Sequence, residues 1–422
     1  MSTLGDLTVP KIDQSGPRKT GEFTYVDISS IDNRLKRIVE PKRLPASAAP
    51  SRAKQRLQPG DVLVSMTRPN LNAVAIVSPD LEGAVGSTGF HVLRAVEGIE
   101  SRWLLYAVQT HAFVDAMASL VQGALYPAVR PKDIRAFGIE APSLGEQRFI
   151  VAEIEKQFSR LDEAVANLKR VKANLKRYKA SVLKAAVEGK FVSSDPSGWA
   201  RTNLGAVLTT IEAGKSFKCE ERLPNIREIG VVKVSAVTWG TYDEEESKTC
   251  LDPDRIETRY FVKPGDFLFS RANTIQLVGR CVIAQKVTRK VMLSDKILRF
   301  HFTDMVISHW VLYWLRSDIG RKEIQRLSTG NQESMRNIGQ ERIRQIALAL
   351  PGLAEQHAIV AEVERRLSVI DELEATVLDN LIRADRLRQS ILSNAFAGKL
   401  VCANISQSGE RSADIQMAKS LE

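Results

Sequence analysis

The chain says the same thing twice. From Pro142 and again from Pro351, 51 residues align without a gap, PSLGEQRFIVAEIEKQFSRLDEAV…SVLKAAVEGKFV against PGLAEQHAIVAEVERRLSVIDELE…SILSNAFAGKLV, with 20 identities. Identity at a fixed offset marks a duplication, and a duplicated chain has to fold as two versions of one unit. The repetition continues upstream. Gln58-Pro59-Gly60-Asp61-Val62-Leu63-Val64-Ser65 returns as Lys263-Pro264-Gly265-Asp266-Phe267-Leu268-Phe269-Ser270, and Val92-Leu93-Arg94 as Ile297-Leu298-Arg299. Trp103-Leu104-Leu105-Tyr106 returns as Trp310-Val311-Leu312-Tyr313, and Leu4-Gly5 as Leu204-Gly205. The order is globular unit, long helix, globular unit, long helix. The first copy begins almost at Met1, so nothing large is expected ahead of it.

The helical parts constrain the architecture further. From Gly145 to Glu188 there is no proline and no internal glycine, and apolar residues recur every seventh position: Ile154, Leu161, Leu168, Leu175, Val182. The second copy keeps the column as Val363, Ile370, Val377, Ala384, Ile391. A heptad column this long predicts a coiled-coil seam. Phe158, Ala164, Val165, Val171 and Tyr178, with Leu367, Leu373, Leu381 and Leu387, are expected to widen the stripes. Gly189 and Gly398, each followed by lysine, stand where C-terminal caps belong.

One helix delivers the chain to the second globular unit and the other leaves it, so paired helices must run antiparallel. At about 1.5 Å per residue, roughly 45 residues make a rod of roughly 65 Å. The expected fold is α+β: two mixed α/β domains, 1–141 and 191–350, joined by two long antiparallel coiled-coil helices, 142–190 and 351–399, with an internal pseudo-two-fold repeat. A polar tail, 403–422, is expected to be disordered.

A chain of 422 residues, 44% of them hydrophobic, has enough apolar surface for two such cores. Its net charge of +10 and pI near 9.4 suit a polyanionic partner. Cys219, Cys250, Cys281 and Cys402 form no C-x-x-C pair, so neither a disulfide framework nor a zinc site is indicated, and a reducing cytoplasm fits. No apolar run reaches the roughly 18 residues of a membrane span, and the N-terminus lacks a signal-peptide pattern. A soluble, cytoplasmic protein with no membrane partner is expected.

In each globular unit, β-rich runs such as 23–28 and 230–234 alternate with turn chemistry, and a helical run follows Trp103 and Trp310. The polar loops differ most between the copies. After the Pro-Gly-Asp strand come Met66-Thr67-Arg68-Pro69-Asn70-Leu71-Asn72 in one and Arg271-Ala272-Asn273-Thr274-Ile275-Gln276 in the other. Before the long helices come residues 122–132 and 328–337. A shared scaffold with divergent polar loops suits two related domains reading two targets. Arginine and lysine pair with guanine in a major groove, asparagine and glutamine with adenine. Candidate DNA contacts are Thr67, Arg68, Asn70, Asn72, Tyr126, Arg130 and Lys132 in the first copy. In the second they are Lys215, Arg271, Asn273, Thr274, Gln276, Asn331, Gln332, Ser334 and Arg336.

Catalytic patterns are missing. There is no phosphate-binding G-x-x-x-x-G-K-[ST], no dinucleotide fingerprint and no H-E-x-x-H. Gly83, Gly86 and Gly89 have the wrong spacing for a dinucleotide and are expected to mark turns. The five histidines form no short metal-ligand pair, so no metal site is expected.

The P-x-L-x-E-Q-x-x-I-V start of each long helix (Pro142, Leu144, Glu146, Gln147, Ile150, Val151; Pro351, Leu353, Glu355, Gln356, Ile359, Val360), its Gly-Lys ending and the Pro-Gly-Asp strand resemble the DNA-specificity subunit of type I restriction-modification systems. The likeness covers nearly the whole chain. The first copy departs from the pattern, with Met66-Thr67-Arg68-Pro69 where the second has Ser270-Arg271-Ala272-Asn273.

The resemblance implies a non-catalytic subunit. Each globular unit would be a target-recognition domain for one half of a split sequence in double-stranded DNA, with the helices as a ruler for the gap. It also implies two adenine-methyltransferase subunits and two restriction/translocase subunits as partners. S-adenosylmethionine, ATP and Mg would then belong to those partners, with no cofactor held by this chain. A related methylation or phage-defence system without the restriction subunit remains open. A self-sufficient methyltransferase lacks its N-P-P-[FY] or D-P-P-[FY] tetrapeptide here, and a bare coiled-coil tether would leave the duplicated domains unexplained.

Overall fold

The computed structural model describes residues 1–123, 125–193 and 195–399; Cys402 and the 403–422 tail lie outside the described residues. The chain forms two compact units: Met1–Leu168 with the C-terminal stretch from Asp379, and Lys169–Leu378. The divisions fall inside the long helices, so each unit takes one globular domain and half of each helix.

In the first unit, strand Val62–Ser65 lies between Phe90–Leu93 and Val74–Ile76 in an antiparallel sheet. A four-stranded sheet runs in the order Lys42–Pro45, Glu22–Val26, Val85–Ser87, Ala53–Arg56, with a parallel pairing of Tyr25 to Val85. Gly86 sits inside the third of these strands rather than in a turn, and glycine suits it because a Cβ there would meet Leu57 at 3.0 Å. Gly83 does make a turn, with φ +76.

The second unit repeats this plan. Phe267–Ser270 lies between Ile297–Phe302 and Cys281–Ile283, with Leu208–Ala213 added at the edge. Gly230–Val232 pairs in parallel with Val291–Met292. Phe267, Phe269 and Phe300 stack at centroid distances of 5.4 and 5.0 Å.

The Pro-Gly-Asp motif has the same job in both copies. Asp61 accepts the Lys-or-Gln turn amide, Gln58 N at 2.8 Å, and takes Arg94 through Nε at 2.7 Å and Nη2 at 2.8 Å. Asp266 accepts Lys263 N at 2.7 Å and Arg299 Nη2 at 2.8 Å. A carboxylate removed from water is tolerated here because a guanidinium and an amide satisfy it.

The long helices span Leu144–Val187 and Leu353–Phe396, 44 residues each. Their repeated start is a fastening. Glu146 accepts Ser143 N at 2.9 Å and Glu355 accepts Gly352 N at 3.0 Å, filling orphan positions at the helix N-terminus. The following glutamine is fully buried. Gln147 accepts Glu100 N at 2.8 Å and donates to Pro142 O at 2.8 Å and Gly98 O at 3.3 Å. Gln356 does the same with Ile307 N, Pro351 O and Met305 O at 2.8, 2.9 and 3.1 Å. At the far ends Gly189 and Gly398 take φ of +71 and +74, a region other residues enter at a cost.

The heptad column is buried except for Leu168, which is half-buried. In the first unit it joins the domain core, where Ile154, Phe158 and Leu161 of one helix meet Ala384, Ile391 and Leu392 of the other. The wider stripe is observed only in part: Phe158 is buried and Val165, Leu367 and Leu381 are half-buried. Ala164, Val171, Tyr178, Leu373 and Leu387 are exposed, since a helix paired with one other helix covers only a narrow seam.

Candidate nucleic-acid interface

Each unit brings its two divergent loops together. In the first, the loop leaving strand Val62–Ser65 meets the loop before the long helix through the bridge Thr67 to Ala128, with Arg68 N donating to Pro127 O and Val129 N to Met66 O, both at 2.9 Å. In the second, the same two segments form a sheet of Ala272–Asn273, Met335–Asn337 and Thr329–Gln332, in that order. Ile275 N adds a bond to Glu333 O at 2.8 Å. A buried serine ends each central strand and fixes the next turn: Ser65 Oγ donates to Thr67 O at 3.0 Å, Ser270 Oγ to Ala272 O at 3.2 Å. Both serines close the repeated octapeptide, which is the sequence signal that could have singled them out.

On the first platform Thr67, Arg68, Asn70, Tyr126, Arg130 and Lys132 are exposed, Tyr126 by 87%. Arg68 and Asn72 flank the short Pro69–Leu71 turn in left-handed backbone, φ +48 and +45. Arg130 lies along Asp133, whose carboxylate accepts its Nε at 3.1 Å and Nη2 at 3.2 Å, and this pairing holds the Asp133 carboxyl below its ordinary range. Asn72 is used internally. Its Nδ2 donates to Val108 O at 2.7 Å, and its O and Oδ1 accept Lys36 Nζ at 2.5 and 3.0 Å. Burial pushes the Lys36 ammonium down to about 8. The sequence reading missed Lys36, which is separated from Asn72 by too much chain for any local pattern to connect them.

On the second platform Gln276, Asn331, Gln332 and Ser334 are exposed, while Arg271, Asn273 and Thr274 are half-buried. Arg271 Nε reaches Asn337 Oδ1 at 3.4 Å, and Asn273 Oδ1 accepts Thr274 N at 2.8 Å. Arg336 braces the hairpin: Nη1 donates to Gly330 O at 2.7 Å, Nη2 to Ser328 O at 2.7 Å and Nε to Ser328 Oγ at 3.2 Å. Lys215 stands on a different stretch, paired with Glu257 at 2.5 Å and 5.4 Å over the Tyr260 ring. Among the described residues no cluster of three or more His, Cys, Asp or Glu could hold a metal, and no helix is long and apolar enough to cross a membrane.

Fold and platforms together define a duplicated scaffold: two related α/β units, each offering a donor-rich loop pair, with long helices between them. The chain is 25% identical over 358 residues to the EcoKI specificity subunit of Escherichia coli K12, covering 82% of this chain and 76% of that one. It is 26% identical over 356 residues to the StySPI specificity subunit of Salmonella potsdam, with the same coverage. The HsdS subunit from Thermoanaerobacter tengcongensis superimposes with a TM-score of 0.56 at 28% identity, covering 94% of this chain and 95% of that one. A chain from a structure on complex assembly and conformational transition of a type I restriction-modification system gives 0.77 at 26%, covering 93% and 96%. No family model matches. In sequence and in fold the chain is similar to the specificity subunits of type I restriction-modification systems, which are non-catalytic.

Proposed function

We propose that this chain recognises a bipartite sequence in double-stranded DNA, one half per loop platform, and scaffolds two adenine-methyltransferase and two restriction/translocase subunits. The observation that carries the reading is the platform itself. The same two loops, divergent between copies, are joined by backbone bonds in both units on a scaffold that is otherwise repeated. A repeated frame whose loop side chains differ between the copies is what two readers of different half-sites require. The helices, each 44 residues long, would set the unread gap. Exposed Val171, Tyr178, Val369, Leu373 and Leu378 lie off their paired seam and give partner subunits apolar surface to cover.

S-adenosylmethionine would enter with the methyltransferase subunits, ATP and Mg with the translocases, all in the cytoplasm. The test is co-expression of this chain with a methyltransferase partner, followed by mapping of methylated adenines in host DNA. A split motif with a constant gap is expected, together with DNA binding that weakens with salt by about 0.9 in log K per neutralised phosphate. A single uninterrupted motif, or salt-insensitive binding, refutes the reading.

A further inference from the structure

In both units a connector outside the two reading loops is fixed beside them with a large apolar side chain in solvent. In the first unit it is the tip, 33–36, of the hairpin Ile31–Asp32 with Arg37–Ile38. Asp32 Oδ1 accepts Arg34 N at 2.8 Å and Leu35 N at 2.9 Å, so the tip is rigid while Leu35 remains 58% exposed. Lys36 Nζ ties the tip to Asn72, the last residue of the reading loop, at 2.5 and 3.0 Å. Lys36, Arg68 and Asn72 have φ of +54, +48 and +45, and among the described residues they are the non-glycine positions with positive φ. Strained backbone gathered at one spot points to a functional surface. Arg34 and Arg37 make it cationic; both are exposed, and Arg34 Nη2 lies 3.9 Å from Asp385 Oδ1.

The second unit has the counterpart. Strands Glu22–Val26 and Gly230–Val232 make the parallel pairing of their respective sheets, and each leads into a short helical turn, Ile28–Ser30 or Val234–Val237, and then the connector. There Trp239 is 77% exposed. Arg316 Nη2 holds Gly240 O at 2.7 Å and Cys281 O at 2.8 Å, fixing the connector to the strand that follows the reading loop. An exposed tryptophan on a fastened loop is costly in water and suits stacking on a base or sugar.

We propose that these connectors are a third DNA-contacting element in each unit, with Leu35 and Trp239 against bases and Arg34 and Arg37 on phosphates of the first half-site. This rests on the DNA-reading function proposed above. The test uses the full chain with its methyltransferase partner. Trp239→Ala is expected to weaken binding roughly 5–100-fold and relax one position of the half-site read by the second unit. Leu35→Ala should do the same, more weakly, in the other half-site. Arg34→Ala and Arg37→Ala should each lower the salt slope by about 1. Lys36→Asn, which tolerates left-handed backbone but lacks the ammonium, should weaken the first half-site without lowering the melting temperature.

Wild-type affinity and motif in the Leu35, Trp239 and arginine variants would overturn the proposal, provided that the unaltered assembly binds a split motif. Normal DNA binding with loss of the co-purifying subunit would also overturn it, by making the connectors protein contacts. An unaltered assembly with no sequence-selective binding would refute the underlying function itself.

Discussion

Lys179 on the first long helix places its ammonium 2.6 Å from the Asp371 carboxylate on the second. The residues one repeat removed, Arg388 and Asp162, form the same pair in the other unit with helix roles exchanged. Each unit therefore clamps its helix halves with an equivalent ion pair, which is what antiparallel pairing of a duplicated sequence produces. The clamp is supplemented by Lys179 to Glu374 at 2.7 Å and by Arg388 lying 4.2 Å over the Phe158 ring.

The clamp selects register more than it adds stability. Asp371 is 65% exposed, so its charge interactions are screened. Asp371→Asn should cost no more than about 1 kcal/mol in urea unfolding. A loss of several kcal/mol would mean that the seam depends on charge rather than on the heptad column.

The glutamine fastenings should matter more. Gln147→Ala or Gln356→Ala leaves a buried amide and two carbonyls without their partner, at about 1–3 kcal/mol for each group that water cannot reach. Both variants should unfold at clearly lower temperature, and Gln147→Glu should not rescue, because a carboxylate cannot donate to Pro142 O. Unchanged melting would show that water replaces the side chain.

Acid sensitivity is expected in the first unit. Burial, assisted by the charge of Arg135, holds the His91 imidazole down to about 4. Its Nε2 is buried without a partner. The unfolded chain binds the proton near its ordinary pKa of about 6.5, so between there and about 4 the unfolded state holds more protons and stability falls as pH falls. The slope approaches about 1.4 kcal/mol per pH unit. His91→Phe should flatten that part of a stability profile, and an unaltered slope would exclude His91 as its source.

Base contacts should respect the units. Replacing a true contact costs about 1–3 kcal/mol and relaxes one position. Arg68→Ala should alter one half-site of the methylated motif and Arg271→Ala the other. If Arg271→Ala changed both, two independent readers could not be maintained; a uniform weakening would make Arg271 a phosphate contact. Arg336→Ala should instead lower stability of the hairpin, since its guanidinium holds Ser328 and Gly330.

Residues that act along one element were open to sequence reasoning. The heptad column, the Gly189 and Gly398 caps and the Pro-Gly-Asp turns depend on spacing within a few residues, and repetition doubled each signal. Exposure of Val171 and Leu387 was not readable, because hydrophobicity states what a side chain prefers and not whether a neighbour exists to cover it.

The sequence by itself determined the duplication, the two helices with their antiparallel sense, and which loops vary, because repetition, periodicity and chain order are properties of one dimension. Tertiary structure alone decided that Thr67 meets Ala128, that Gln147 fastens a helix to Glu100, and that Lys36 locks onto Asn72. Those partners are far apart in the chain, and backbone donors and acceptors are the same at every residue. Only folding chooses which of them must satisfy one another out of water.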